Sequence, residues 1–354
     1  MSTKPPTVTP SALIVGASLA GLMASLSLAR RGFAVTVLER SDDSGRTGAA
    51  LSIPEGLLER ITGLPASALP RGLAPGVQSW FAVHDALRAA AAANPRIELR
   101  SNTTVTEVGH DAEAAWAVTA GGLRFRADIL VGADGHRSVT RQFVAPHHPD
   151  ATYAGQVLWI GISAEASIGS RRWPGRVDFQ HSGGYTLIGY PLPGADGSTA
   201  SGSRRLGWAL YDSSRNQLMR ETGAVVGSVV QHTLRAGEVP EQTYDELARV
   251  VQVGFSGKWR EAVLDSIRRR DVIGTPVAEY VPDRLVRGRV ALVGDAAHVP
   301  NPMTGRGFAE SLTDAESLGN SLTSHTGVAN YTSGLLAYEL DRLETVRALV
   351  ISGQ

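Results

Sequence analysis

Three small residues, Gly16, Ser18 and Gly21, lie between a short apolar run at 13–15 and a stretch of small and apolar residues that favours a helix. This spacing predicts a strand, a tight turn and the first turn of a helix. Gly16 allows the tight turn and Gly21 allows helix and strand to approach, while the small Ser18 adds a hydroxyl. Because the N–H groups and the dipole at a helix N-terminus attract phosphate, these residues suit a pyrophosphate.

An acidic residue, Glu39, follows a second apolar run at 34–38. A carboxylate about 20 residues after such a turn accepts hydrogen bonds from both hydroxyls of a ribose and repels a 2′-phosphate. Residues 12–29 carry no charge, so a membrane span or a signal peptide is the alternative for this stretch. The turn spacing, the second strand and the acid favour the nucleotide site.

Two further apolar runs end in an aspartate. The first run leads into Gly132-Ala133-Asp134-Gly135, and the second leads into Gly294-Asp295. Open α/β sheets bind their ligands at the carboxyl ends of strands, where these aspartates are expected to lie. Gly305 and Gly307 then precede a helix that we predict from about Ala309, which gives a second helix N-terminus suited to an anion. Two such strand ends facing one nucleotide imply a long ligand.

The elements that must hold these residues alternate between strands and helices, except in one segment. From 151 to about 215 the sequence reads as β-strands separated by Gly- and Ser-rich turns, which predicts an antiparallel sheet. We therefore predict an α/β fold, with a Rossmann-like nucleotide-binding domain and an inserted antiparallel β-sheet domain for the substrate. The predicted limits are 1–150 for the first part of the nucleotide-binding domain, 151–285 for the inserted domain with its helices, and 286–354 for the return and the C-terminal helix.

Composition excludes several classes of function. The chain has 354 residues, with 34 Lys and Arg against 34 Asp and Glu, and it has no cysteine. Zero formal net charge gives no sign of nucleic acid or of an acidic membrane surface as partner. Disulfides and thiolate metal sites are excluded, and the nine histidines are scattered, so we expect no metal. We expect a cytoplasmic monomer or homodimer that binds a small molecule.

Taken together, these motifs resemble the FAD-dependent aromatic hydroxylases of the para-hydroxybenzoate hydroxylase (PHBH) type, the group A flavoprotein monooxygenases. The resemblance spans nearly the whole chain and implies an FAD-binding domain of the PHBH (GR2) type. It rests on three motifs in the expected order: the dinucleotide fingerprint Gly16 to Gly21 with Glu39-Arg40, the Asp-Gly motif 132–135 with Ser138 and Arg141, and the Gly-Asp motif 288–307.

The resemblance implies a contact to FAD for each of a set of residues. The pyrophosphate is expected at Gly16, Ser18, Leu19 and Ala20, the adenosine ribose at Glu39, and the adenine beside Arg40 and Val105. The ribityl chain is expected at Asp295, and the isoalloxazine beside Pro302, Gly305, Gly307, Phe308 and Ala309. Gly294 and Arg306 are further expected contacts to the cofactor. Asp134 is a candidate for contact with both FAD and the nicotinamide donor.

Arg46 stands where members of the family often place an arginine near the flavin, and Gly48 begins the segment beside the ring. From the residues alone, an exposed loop arginine is an equal alternative for Arg46. The chain also departs from the family pattern. Ser18 replaces the second glycine, and Ala309 occupies the last position of a loop that normally ends in Asn. The arginine that usually begins the helix at 83–90 is His84 here, and we expect Arg88 to take its place.

The family chemistry implies that NADH or NADPH reduces FAD, that O2 adds to it, and that the resulting flavin hydroperoxide transfers one oxygen atom to an aromatic or polycyclic substrate. No catalytic residue follows from the sequence. Candidates for substrate contact in the predicted sheet are His181 and Tyr185, with surface positions as the alternative, and an aromatic wall of Trp159, Phe179 and Trp208, with core packing as the alternative. A reductase, oxidase or halogenase on the same scaffold, or a nucleotide-binding protein without catalysis, are the competing functions.

Overall fold

The structure is a computed structural model that describes residues 9–42, 50–53, 56–69, 73–74, 76–323 and 331–353. Arg46 and Gly48 lie outside the described residues. The strands are β1 Ser11–Val15, β2 Ala34–Leu38, β3 Ala50–Ser52, β4 Val77–Ser79, β5 Ile97–Arg100, β6 Val105–His110, β7 Ala115–Thr119, β8 Arg124–Ala127, β9 Ile129–Gly132, β10 Thr152–Ala164, β11 Asp178–Ser182, β12 Tyr185–Leu192, β13 Arg205–Asp212, β14 Val225–Val226, β15 Val229–Val230, β16 Ile273–Glu279, β17 Val286–Arg287 and β18 Val290–Leu292. The α-helices are α1 Leu19–Arg30, α2 Leu57–Thr62, α3 Trp80–Ala93, α4 Val139–Val144, α5 Glu165–Ile168, α6 Asn216–Glu221, α7 Glu241–Gly254, α8 Gly257–Arg268, α9 Gly307–Thr323 and α10 Tyr331–Ser352.

A six-stranded sheet forms the centre of the nucleotide-binding part, in the order β17-β18-β9-β1-β2-β5. All pairs in it are parallel except β17 with β18. The central strands are apolar runs, as a parallel sheet covered on both faces requires. Since β18, β9 and β1 are neighbours and run in one direction, the turns after them meet at one edge of the sheet. That edge carries Gly294, Asp134 and Gly16.

The second large sheet is antiparallel, in the order β11-β12-β13-β10-β15-β14, with β16 paired to β10. It lies in the segment where the sequence predicts an inserted sheet, and with the parallel sheet it confirms the predicted fold class. The strand predicted at 176–180 lies at Asp178–Ser182 instead. No strand was predicted at β16, which contains Pro276.

Local contacts decide where two of the helices begin. Helix α3 begins at Trp80 because β4 pairs with β3 up to Ser79, whose hydroxyl caps the helix by accepting from the Ala82 N–H at 3.4 Å. Helix α9 begins at Gly307, two residues before the predicted start. Strand β1 and the 12-residue α1 occupy most of the stretch for which a membrane span was the alternative. Among the described helices, none combines the length and apolarity needed to cross a bilayer.

Candidate functional site

The turn after β1 packs directly against the turn after β9. Gly16 has φ +101°, and a Cβ there would lie 2.4 Å from the Ala133 carbonyl oxygen. A Cβ at Gly21 would lie 1.9 Å from the Gly16 carbonyl oxygen. Real Cβ atoms do not approach backbone oxygen so closely, so only glycine fits at either position. The two glycines therefore let three backbone segments meet beneath the candidate phosphate site.

The N-terminus of α1 keeps its N–H groups available. Ser18 is the N-cap residue in an extended conformation, and its hydroxyl accepts no capping hydrogen bond. The first intrahelical bond joins the Leu22 N–H to the Ser18 carbonyl at 3.0 Å. The N–H groups of Leu19 and Ala20 therefore have no partner within the helix. The arrangement of serine hydroxyl and N–H groups suits the oxygens of a pyrophosphate.

Glu39 ties the end of β2 to the same turn. One carboxylate oxygen accepts from the Ala17 N–H at 2.7 Å, and the other accepts from the N–H and hydroxyl of Ser41 at 3.0 and 2.7 Å. The side chain is buried, with 5% of Glu39 exposed. Glu39 therefore holds the phosphate turn and the chain after β2 together, at the position where the resemblance implies a contact to the ribose. Sequence reasoning did not foresee the internal bonds of Glu39.

The side chain of His84 supports the backbone of the phosphate turn. Its Nε2 lies 3.0 Å from the Ala17 carbonyl oxygen, and since a carbonyl can only accept, Nε2 carries the proton. The ring stacks on Trp80 at a centroid distance of 4.7 Å. Arg88 donates to the Ser101 hydroxyl at 3.2 Å, after β5. A histidine thus stands beneath the turn at the position where the family resemblance implies an arginine.

The two residues expected beside the adenine flank this region. Arg40 is exposed and directly follows Glu39 at the end of β2. Val105 is buried at the start of β6. A contact of either residue with the adenine stays a prediction.

Asp134, after β9, organises the start of α4. Its carboxylate accepts from the Ser138 hydroxyl at 2.5 Å and from the Thr140 N–H and hydroxyl at 3.0 and 3.2 Å. Burial raises the pKa of Asp134 above its ordinary value, although these donors oppose the shift. The same Ser138 caps α4 by accepting from the Arg141 N–H at 2.8 Å. The carboxylate of Asp134 therefore serves the fold of the site before any ligand contact.

Arg141 connects the turns after β9 and β18. Its guanidinium donates to the carbonyls of Asp295 and Ala296 at 3.1 and 3.2 Å, and also to the His136 carbonyl. The group is buried and lies 4.2 Å from the centre of the Tyr280 ring. Arg141 appears in the sequence only as part of the Asp-Gly motif. In the structure it fixes the backbone that presents Asp295.

Asp295 differs from Asp134 in exposure and in hydrogen bonding. It lies in the 3₁₀ turn Gly294–Ala296, directly after β18, and is exposed between buried neighbours. Its carboxylate has no hydrogen-bond or ion-pair partner within the described ranges. A Cβ at Gly294 would lie 2.5 Å from the Ala20 side chain, so this turn touches the start of α1. A free acceptor thus stands next to the candidate phosphate site.

A buried network holds the Asp295 turn from behind. One oxygen of Asp314, in α9, accepts from the Gly294 N–H at 2.9 Å and from His298 Nε2 at 2.8 Å, and the other accepts from Arg342 Nε at 2.9 Å. Arg342, in α10, also donates to Glu310 at 2.8 Å. These donors hold the pKa of Asp314 below its ordinary value against the effect of burial. The network joins the turn, α9 and α10.

Asp314→Asn is expected to lower the free energy of unfolding by about 3 kcal/mol, because it removes the charge that pairs with buried Arg342. The depressed pKa means that Asp314 contributes stability above the ordinary aspartate value and loses it as the pH falls through the acid range. The variant should therefore show a flatter decline of melting temperature below about pH 4. Calorimetry across that range measures both effects. If the melting temperature of the variant fell with pH as steeply as that of the wild type, the stabilising role of the Asp314 carboxylate would be contradicted.

The chain after the network forms a loop against the start of α9. The Asn301 side chain donates to buried Glu279 at 2.8 Å and accepts from the Met303 N–H at 3.1 Å. A 3₁₀ turn, Pro302–Thr304, follows, and Gly305 adopts φ +61°. Exposed Arg306 donates to Glu310 at 2.8 Å, while Phe308 is buried in the hydrophobic core. This anchors the loop 302–307 and directs the N–H groups of Gly307, Phe308 and Ala309 away from the helix body.

A cavity of about 330 Å³ lies between this loop and the antiparallel sheet. Its walls come from β3 and β4, from the cavity face of the sheet, and from the loop before α9. The lining residues are Ala50, Leu51, Ser52, Val77, Leu158, Val177, Phe179, Ile188, Tyr190, Ala209, Tyr211, Pro302, Met303, Gly305, Gly307 and Phe308. This volume and mostly apolar lining suit a compact, flat molecule.

Strand alternation explains which aromatic residues reach the cavity. Leu158 and Ala209 face it, whereas their neighbours Trp159 and Trp208 point to the opposite face, where both are fully buried beside α8. Their indole N–H groups donate to Asp212 and Ser266 at 3.1 Å each. The predicted aromatic wall is therefore wrong for both tryptophans, which are core residues. Phe179 does line the cavity.

The two polar candidates in the sheet also lie away from the cavity. His181 is exposed, and its Nδ1 lies 2.9 Å from the Thr186 hydroxyl. Tyr185 packs against the helix-side core of the sheet. Neither belongs to the cavity lining. The surface alternative therefore describes His181, and sequence reasoning overlooked Tyr190 and Tyr211, which the two-residue period of β12 and β13 could have indicated.

Tyr190 lines the cavity and carries a buried hydroxyl without a partner among the described residues. Its ring crosses Gly207 on the neighbouring strand, where a Cβ would lie 2.1 Å from the ring. The residue is 4% exposed, and its hydroxyl has no hydrogen-bond partner among the described residues. Burial raises the pKa of Tyr190, and burial together with nearby Tyr190 raises that of Tyr211. Both phenols are therefore protonated donors at neutral pH.

Comparison with known proteins gives a consistent family of relatives. The sequence family described as "FAD binding domain" matches residues 9–73 and 206–352. The chain is 26% identical to 2,6-dihydroxypyridine 3-monooxygenase of Paenarthrobacter nicotinovorans, over 88% of this chain and 82% of that protein. It is 28% identical to hispidin-3-hydroxylase of Neonothopanus nambi, over 96% of this chain and 87% of that protein. The solved structure of 2,6-dihydroxypyridine-3-hydroxylase from Arthrobacter nicotinovorans superposes with a TM-score of 0.78 at 21% identity, covering 97% and 91% of the two chains.

Proposed function

The chain belongs to this FAD-binding-domain family and is an FAD-dependent monooxygenase, and we propose that it hydroxylates a compact aromatic substrate in the cavity beside the loop 302–307. NADH or NADPH is the proposed electron donor, and O2 the proposed source of the inserted oxygen. The observation that carries the proposal is the position of the cavity. It borders the candidate flavin loop on one side and the antiparallel sheet on the other.

The residues at the sheet edge fit FAD in several independent ways. The α1 N-terminus offers free N–H groups and the Ser18 hydroxyl for a pyrophosphate. Exposed Asp295 offers a carboxylate without a partner for hydroxyls of the ribityl chain. We propose that these residues, with Glu39 at the ribose, hold the dinucleotide along the edge. When bound, FAD supplies the electron transfer and the activation of oxygen.

The protein itself supplies orientation and a dry surface. The N–H groups at the start of α9 lie next to the cavity and favour negative charge near Gly307. Leu158, Ile188 and Ala209 exclude water from one wall. The Tyr190 hydroxyl is the proposed donor to an oxygen of the substrate, because a buried hydroxyl without a partner is costly until a ligand pairs with it. The preferred substrate is therefore a flat hydroxylated or carbonyl-bearing ring.

The test of the function is spectroscopic and kinetic. Purified protein mixed with FAD should show perturbed flavin absorbance bands, and the complex should oxidise NADH or NADPH in air. A panel of phenols, hydroxypyridines and hydroxylated polycyclic compounds should contain one that accelerates this oxidation and appears with one added oxygen by mass spectrometry. Bound FAD with nucleotide oxidation but without any oxygenated product would favour an oxidase or reductase. Absence of FAD binding would contradict the proposal altogether.

Tyr190→Phe is expected to raise the KM or the binding constant for an accelerating aromatic by about tenfold, since it removes one hydrogen bond to the substrate. FAD binding should stay unchanged, because Tyr190 lies in the antiparallel sheet and is not among the residues proposed to hold the dinucleotide. Flavin difference spectra under titration with the aromatic measure the constant. Tyr185→Phe on the same strand is the matched control, since Tyr185 does not line the cavity. Equal effects of both variants would exclude the role of Tyr190.

A further inference from the structure

Met303 carries the only sulfur atom in the part of the cavity lining that the structure describes. It lies in the 3₁₀ turn Pro302–Thr304, within the loop proposed for the flavin, and is 42% exposed. The chain has no cysteine and four methionines. Met23 and Met219 are both 0% exposed, inside the two large hydrophobic cores. Among the described residues, Met303 therefore has the only accessible thioether, and this thioether lies at the cavity.

The turn that carries Met303 is held from two sides. The Met303 N–H donates to the side chain of Asn301, which is itself anchored on buried Glu279. On the other side, a Cβ at Gly353, directly after α10, would lie 2.8 Å from the Thr304 side chain. The end of α10 thus packs closely against the turn. The thioether therefore has a defined position beside the cavity, which the backbone of the turn sets.

A thioether readily accepts an oxygen atom. The sulfur lone pair takes up one oxygen and becomes a sulfoxide, and no bond of the side chain breaks. The two phenols in the lining, Tyr190 and Tyr211, are the competing groups. Burial raises their pKa values, so both lack the anionic oxygen that would activate their rings. The other described lining residues carry no sulfur, amine or imidazole. When no substrate is bound, Met303 is therefore the most reactive oxygen acceptor in the described lining.

We propose that the enzyme oxidises its own Met303 to methionine sulfoxide when it turns over without substrate. The inference rests on the proposed function, because it uses the same FAD, O2 and NADH or NADPH. The O–O bond breaks, and one oxygen atom of O2 forms the new bond to the Met303 sulfur. The nucleotide supplies two electrons and one proton as hydride, the solvent supplies the second proton, and the other oxygen atom leaves as water.

The sulfoxide changes the chemistry of the cavity wall. It places a polar, strongly accepting oxygen in a lining that includes Leu158, Phe179 and Phe308. A polar group in such a wall binds water and opposes the burial of an apolar ring. Enzyme that has consumed nucleotide without substrate should therefore bind an accelerating aromatic about tenfold more weakly. Treatment with methionine sulfoxide reductases should restore the affinity.

Isotope-labelled oxygen gas tests the self-oxidation. The FAD-loaded enzyme is incubated with NADH or NADPH under O2 labelled with heavy oxygen, and catalase is present to destroy free hydrogen peroxide. Mass spectrometry of the methionine peptides then measures the label. Met303 should carry at least about ten times more label than Met23 or Met219, because those two side chains are buried. An accelerating aromatic should suppress the label at Met303, since the substrate then takes the oxygen atom.

Two variants and the apoprotein are the controls. Met303→Leu should abolish both the label and the loss of affinity, because leucine is of similar size but has no sulfur. Met219→Leu, the same change at a buried position in α6, is the matched control and should leave the label at Met303 unaltered. Without FAD, dilute hydrogen peroxide should oxidise Met303 at least about tenfold faster than Met23 or Met219. This last measurement reports the accessibility of the thioether independently of turnover.

Several results would overturn the self-oxidation and leave the proposed function intact. They are nucleotide consumption without label in Met303, label that appears only when catalase is omitted, and label in Tyr190 or Tyr211 instead of Met303. Equal oxidation of Met303 and the two buried methionines by peroxide in the apoprotein would also overturn it, because Met303 would then have no distinct accessibility. Absence of FAD binding or of nucleotide oxidation, by contrast, would contradict the proposed function and the self-oxidation together.

Discussion

Gly16→Ala is expected to reduce the affinity for FAD by at least about 100-fold. The new Cβ would lie 2.4 Å from the Ala133 carbonyl oxygen, which is backbone and cannot rotate away. The left-handed φ of +101° adds a cost of about 1–2 kcal/mol for any residue with a side chain. The turn must therefore open, and opening moves the N–H groups of α1 away from the position proposed for the pyrophosphate. Titration of flavin fluorescence measures the affinity.

The variant Gly32→Ala separates the effect of a strained backbone conformation from the effect of a steric clash. Gly32 also has a left-handed φ, +91°, but a Cβ there meets no atom within 4 Å. This variant should lose about 1 kcal/mol of stability and keep its affinity for FAD. If both variants bound FAD equally well, the close packing of the turns after β1 and β9 would have no role in the site.

Asp295→Ala is expected to weaken FAD binding by about 10- to 100-fold, the equivalent of one or two hydrogen bonds to a charged acceptor. The free energy of unfolding without FAD should not change, because the exposed carboxylate has no hydrogen-bond or ion-pair partner among the described residues. Denaturant unfolding of the apoprotein and titration with FAD separate the two quantities. An unaltered affinity would refute the assignment of Asp295 to the ribityl chain.

Asp134→Ala is the informative counterpart. This carboxylate accepts three hydrogen bonds from Ser138 and Thr140. Its removal leaves those donors without acceptors at the start of α4 and should cost about 2–4 kcal/mol of stability. The two aspartates follow neighbouring strands with similar sequences. One is expected to act mainly on stability and the other mainly on ligand affinity.

The sequence predicted best what depends on local pattern. The apolar runs that became β1, β2, β9 and β18 are recognisable because a parallel sheet needs continuous apolar strands. The glycines around Gly16 predicted the turn, since their conformation is a local property. The family of relatives then confirmed the kind of enzyme that the three motifs indicated. The contacts of single site residues to FAD stay predictions.

What the sequence missed depends on contacts between distant segments. Trp159 and Leu158 are both apolar, so alternation could not tell which of them faces the core when both faces of the strand are covered. The bond from His84 to the Ala17 carbonyl joins residues 67 positions apart. No local pattern in the sequence near Asp314 predicts its contact with Arg342. Such partners become visible only when helices and strands are packed.

Alternate residues of each strand in the antiparallel sheet face opposite sides, and this affects how the substrate specificity of the enzyme can evolve. Leu158, Ile188 and Ala209 touch the cavity, while Trp159 and Trp208 secure the fold from the other face. A lineage under selection for a new substrate can therefore vary the first set while leaving the second untouched. A combinatorial library at those three positions should retain more folded members than one at Trp159 and Trp208, because the first set borders a cavity and the second is fully buried in the larger core.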